Sequence, residues 1–121
     1  MHLALAVLFA LHGIAHWIGL IIDWRLTAFE GMPSDTTLLD GRIDAGELGI
    51  RVMGVLWMLT GIAFLVIAAA TMVQLSWWRQ AALGVTLFSL AMSLLHWPDA
   101  RFGVYLNLGI LAVLALAAVF G

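Results

Sequence analysis

Four long apolar runs, Leu3 to Ile22, Ile50 to Val73, Ala81 to Trp97 and Gly103 to Phe120, decide what this chain can fold into. A helix of about 20 apolar residues crosses the hydrocarbon of a bilayer, and each run comes close to that length. Inside lipid, a single segment satisfies its own backbone only as a helix. The chain is 64% hydrophobic and 10% charged over 121 residues, against roughly half and a quarter in soluble domains. A soluble core of this size has no room to hide so much apolar surface. A secreted enzyme, a nucleic-acid module and a disordered chain are excluded. The expected fold is an all-α integral membrane protein with one domain, 1–121: four transmembrane helices in an up-down antiparallel bundle with one long loop, 23–49.

The other connections are short. Residues 74–80 contain Trp77, Trp78 and Arg79, a fitting interfacial belt. Residues 98–102 open on Pro98, which stops the third helix. Both connections join antiparallel neighbours. Both termini and the Trp77-Trp78 turn then share one side, B, and the long loop shares side A with Pro98 and Asp99. The first run has no basic flank and no small-x-small cleavage site, so it is expected to stay as a helix.

Charge is sparse and lopsided. The chain has five arginines, no lysine and seven acids, and every acid (Asp23, Glu30, Asp35, Asp40, Asp44, Glu47, Asp99) falls on side A. No basic stripe exists to neutralise a phosphate backbone, so nucleic acid is not a partner. Cysteine is absent, which removes disulfides, thiolate metal sites and Cys nucleophiles. Four of the arginines also lie on side A, among the acids, and no orientation follows from the positive-inside rule.

Polar residues in hydrocarbon face the bundle interior, and their spacing shows which helix faces look inward. Thr86, Ser89, Ser93 and His96 recur at steps of three and four along the third span. His12 and His16 stand one turn apart on the first, with Asp23 continuing their face. Gly54 and Gly61 share a face of the second span, and Tyr105 and Asn107 stand near the start of the fourth. Such stripes glue helices together through hydrogen bonds and close approach. They can equally line a polar cavity. His12, His16 and His96 are the candidate cofactor-binding residues, for haem or a transition metal. Depth opposes a common site: at 1.5 Å per residue His16 lies roughly 9 Å and His12 roughly 15 Å below the side-A end, while His96 lies near the surface. No cofactor is therefore the first expectation, with the histidines acting as a satisfied buried set.

Glu47, Arg51, Asp99, Arg101 and Asn107 form a candidate polar cluster at the side-A face, with Arg51 expected to pair with Asp99 or Glu47. Asp40 to Glu47 matches the second half of a calcium loop, but Thr36 and Leu38 occupy the first ligand positions and Leu supplies no oxygen. A short capped or amphipathic helix starting near Asp35 is expected there instead. Spans one and three both end in His-Trp followed by Asp and Arg, a faint internal echo.

The first helix, Leu11-His12-Gly13-Ile14-Ala15-His16-Trp17-Ile18-Gly19, and the stretch Trp97-Pro98-Asp99-Ala100-Arg101-Phe102-Gly103-Val104-Tyr105-Leu106-Asn107-Leu108 together resemble an uncharacterised family of small bacterial four-helix membrane proteins, often labelled permeases. The resemblance runs the whole chain, including Trp77-Trp78-Arg79. It implies a fold and an address in the bacterial inner membrane, but no chemistry. It singles out His12, His16, Asp99, Arg101 and Asn107.

No span carries a mid-membrane acid, a nucleophile or a complete ligand set, so catalysis is not expected. The first functional reading is an accessory subunit or homo-oligomeric scaffold, partnered by lipid, by other membrane subunits or by itself through the small residues Gly109, Ala112, Ala115 and Ala118. The alternatives are a haem- or metal-binding bundle and a small dimeric channel or transporter lined by Thr86, Ser89 and Ser93.

Overall fold

A computed structural model describes residues 1–27 and 35–120. Glu30 lies outside the described residues. The protein is an all-α multi-pass membrane bundle. Its helices are α1 (His2–Asp23), α2 (Gly46–Met72), α3 (Trp78–Leu95) and α4 (Arg101–Phe120), each long and apolar enough to cross a membrane.

Several boundaries differ from the hydropathy reading, three of them for evident local reasons. Asp23 is the last residue of α1 and is buried, where the apolar run alone placed it in the loop. α2 starts four residues early, at Gly46, because Asp44 accepts the Gly46 N–H at 3.0 Å and starts the turn. α3 ends at Leu95, two residues short, since Pro98 disfavours helical backbone at the residue before it.

Before α2 the loop forms a hairpin, not the expected helix. Strands β1 (Thr37–Leu38) and β2 (Ile43–Asp44) pair antiparallel, Thr37 opposite Asp44 and Leu38 opposite Ile43. The turn needs left-handed backbone at Leu39, Asp40 and Gly41, with φ of 52°, 57° and 82°. Asp35 accepts from the N–H and hydroxyl of Thr37, so it shapes a strand start instead of capping a helix. The Leu39 N–H donates to the Leu95 carbonyl at 2.7 Å, which ties the hairpin to the end of α3.

The bundle has two unlike halves. Towards side B, Leu5, Phe9, Phe64, Ile67, Trp78, Ala82 and Ile110 form a close apolar core, with the Phe9 and Phe64 rings stacked 6.2 Å apart. α1 and α2 meet where Gly13 faces Gly61: a β-carbon on Gly13 would lie 2.8 Å from the Gly61 carbonyl oxygen. Thr60 and Thr71 bond back to the carbonyls four residues before them. Polar side chains dominate the half towards side A.

Candidate functional site

The polar stripes of α1, α3 and α4 meet in a directional chain of hydrogen bonds. His12 Nε2 lies 2.9 Å from Asn107 Oδ1, Asn107 Nδ2 lies 2.9 Å from Ser89 Oγ, and Ser89 Oγ lies 2.6 Å from His16 Nε2. His16 Nδ1 then lies 2.6 Å from the backbone carbonyl of His12. A carbonyl only accepts, so His16 carries its proton on Nδ1 and takes the Ser89 hydroxyl proton at Nε2. The Asn107 amide N–H donates to Ser89, leaving Asn107 Oδ1 to accept from His12 Nε2–H. The chain thus closes into a ring that fixes both tautomers. Its members are buried, with Ser89 and Asn107 fully enclosed. Ser93 adds a longer contact, accepting from Asn107 at 3.5 Å, and a β-carbon on Gly103 would stand 2.7 Å from its hydroxyl.

Beside this ring lies a cavity of about 320 Å³ between the four helices and the hairpin. All three candidate histidines line it, together with Asp23, Trp57 and Ser93. Ile18, Ile22, Ile50, Phe102 and Leu106 supply apolar wall, and Asp35, Asp40 and Asp99 border its side-A end. Two buried atoms of its lining residues have no hydrogen-bond partner: His12 Nδ1 and Asp23 Oδ2. Thr86 Oγ1, on the α3 stripe, is a third such atom.

The histidines line one space but do not converge on one point. The Trp57 indole stands between His16, at 5.4 Å between ring centres, and His96, at 5.1 Å. His96 Nδ1 donates to the Met92 carbonyl at 2.8 Å, and its Nε2 accepts the Trp57 indole N–H at 3.4 Å. Among the described residues no three His, Asp or Glu side chains form a metal-holding group. Asp23 Oδ2 stands 3.6 Å from His96 Nε2, an ion-pair distance but too long for a hydrogen bond.

The five side-A candidates do not form one cluster. Glu47 takes a two-pronged ion pair from Arg25, at 2.8 and 3.1 Å, and this contact raises the Arg25 pKa further. Arg51 lies over the Trp24 ring at 5.1 Å, while the Trp24 indole donates to the Arg51 carbonyl, so the expected Arg51 pair with Asp99 or Glu47 is replaced by a stacked one. Arg101 lies over Phe102. Asn107 belongs to the buried ring. Asp99 stays at the rim, its carboxyl held above the usual range by partial burial and then by repulsion from Asp35 and Asp40, against the opposing pull of His96 and Arg101. Asp44 is held below its usual range by the Thr36 hydroxyl and the Gly46 N–H, a local turn contact.

Trp57 and Asp23 are the residues that pattern reading undervalued. Trp57 falls on the Gly54–Gly61 face at steps of three and four, and Asp23 lies two turns beyond His16, so both signals were present. No family profile, curated protein or solved structure matches this chain.

Proposed function

We propose that the protein is a small membrane subunit that holds an organic ligand in the side-A cavity, acting by binding instead of catalysis. The observation that carries this reading is the cavity itself. It is lined by His12 and Asp23 with unpartnered buried polar atoms, and flanked by a hydrogen-bond ring that keeps its inner wall rigid. Buried polar atoms in a membrane are costly unless something pairs with them. Coordination of haem or metal by His12, His16 and His96 fits less well. His16 spends both ring nitrogens on protein partners, and Trp57 parts it from His96.

A second reading, an accessory or self-associating scaffold, draws on α4. It is the least buried of the spans, and a β-carbon on Gly109 would meet nothing within 4 Å. Following the family resemblance, we place the protein in a bacterial inner membrane.

Native mass spectrometry of the protein, gently extracted from its own membrane, tests the binding reading. The expected result is a small organic mass that survives on the wild type and is lost from Ala15→Phe, which fills a lining position exposed in the bundle. A bare chain in both, or a homo-oligomer without a small mass, would overturn it in favour of the scaffold.

A further inference from the structure

The two buried side-chain atoms of the lining that lack a hydrogen-bond partner are both acceptors. His12 gives its Nε2 proton to Asn107, so its unpartnered Nδ1 holds a lone pair. His96 gives its Nδ1 proton to Met92, and its Nε2 already receives the Trp57 indole N–H. The carboxyl of Asp23, more than nine-tenths buried, stands 3.6 Å from His96 Nε2, beyond hydrogen-bond reach, and its Oδ2 has no hydrogen-bond partner. Three further carboxyls, Asp35, Asp40 and Asp99, border the side-A end, close enough together that Asp99 feels the other two.

No arginine side chain lines the space. The chain has five arginines and no lysine, and residues 28–34 contain none of them. Arg25 is held by Glu47, Arg51 lies on Trp24, Arg101 on Phe102, and Arg79 on Trp78 at the opposite end of the bundle. Arg42 sits exposed in the hairpin turn. The complement of such a site is a molecule that brings both the N–H donors and the positive charge. The apolar wall of Ile18, Ile22, Ile50 and Leu106 asks for an apolar body behind them. A bare metal ion offers no such body.

We propose that the cavity binds an organic monoamine, its ammonium donating to Asp23 and its apolar part lying along the Ile18–Ile22 and Leu106 walls. This rests on the reading of the cavity as a ligand site and adds the class of ligand. The acidic rim concentrates cations at the opening, and Asp23 fixes the bound ammonium through a charge-assisted hydrogen bond.

The test uses the full chain in neutral phosphatidylcholine nanodiscs, titrated with 2-phenylethylamine, 2-phenylethanol and 3-phenylpropionate and followed by the indole N–H signal of Trp57. The amine should shift that signal saturably, with the alcohol weaker and the carboxylate weakest. Asp23→Asn should weaken the amine by about tenfold or more and leave the alcohol unchanged, as expected for loss of one charge-assisted contact. Should that variant fail to fold, Asp40→Asn with Asp99→Asn, both outside the helices, should weaken the amine several-fold and spare the alcohol. Equal or tighter binding of the alcohol or the carboxylate, or an amine affinity indifferent to these changes, would overturn the amine class while leaving the cavity a binding site. No saturable response to any probe would overturn both.

Discussion

The two halves of the bundle solve different problems with the same helices. In the half towards side B, Phe9, Phe64, Trp78 and Ala82 fill space, and Thr71 bonds back to its own helix. In the half towards side A, His12, His16, Ser89 and Asn107 exchange hydrogen bonds around a ring, and a cavity remains beside them. Lipid tails are as apolar as a core residue, so helices in a membrane gain little from apolar burial alone and depend on close packing and interhelical hydrogen bonds. The side-B half uses the first of these and the side-A half the second. Only the second leaves directional groups over for a ligand.

The sharpest way to break the packed half is Gly13→Leu. Its side chain would strike the Gly61 carbonyl and Phe64, and the variant should lose about 3 kcal/mol or more of stability, read by unfolding in bicelles. Opening the ring costs less: Asn107→Leu removes the link that joins α4 to His12 and Ser89 and should cost about 2 kcal/mol by the same assay. The histidines then grade by burial. His12→Ala and His16→Ala should each cost about 1–2 kcal/mol, and His96→Ala, its side chain 14% exposed and bonded mainly to its own helix, should cost less. Equal losses at all three positions would mean that they act as one site.

The smallest effect belongs to the rim. The raised pKa of Asp99 means that the folded state holds its proton more tightly than the unfolded chain. Its ionisation therefore destabilises the fold as pH rises from the ordinary carboxylate range through the folded pKa. Asp99→Asn should raise thermal stability slightly at neutral pH and leave it unchanged in acid. A loss at neutral pH would show that the charge is structurally useful.

Much of this contrast was legible in the amino-acid order. Four apolar runs and two short connections specify an antiparallel bundle, and the three- and four-residue steps of His12, His16, Ser89 and Ser93 put these groups on inward faces. Which atoms pair was not legible. Asn107 read as an interfacial residue from its distance to the start of α4, yet the helix begins at Arg101 and carries it more than one turn inward. Asp40-Gly41 is a turn signal, but the hairpin escaped because Leu39 carries none for its left-handed backbone and the strands that flank the turn are only two residues long. A polar cavity was one reading of the stripes, but its size and lining were not legible, because a void follows from where helices fail to touch, which periodicity does not encode.

The ring itself is open to direct observation by nitrogen-15 NMR of the assigned imidazoles in nanodiscs, since each tautomer has its own pair of shifts. The expected spectrum has His16 protonated on Nδ1 and bare on Nε2, with His12 the reverse. A metal-shifted nitrogen on His16, or averaged signals on both residues, would contradict the ring and make the histidines ligands rather than struts.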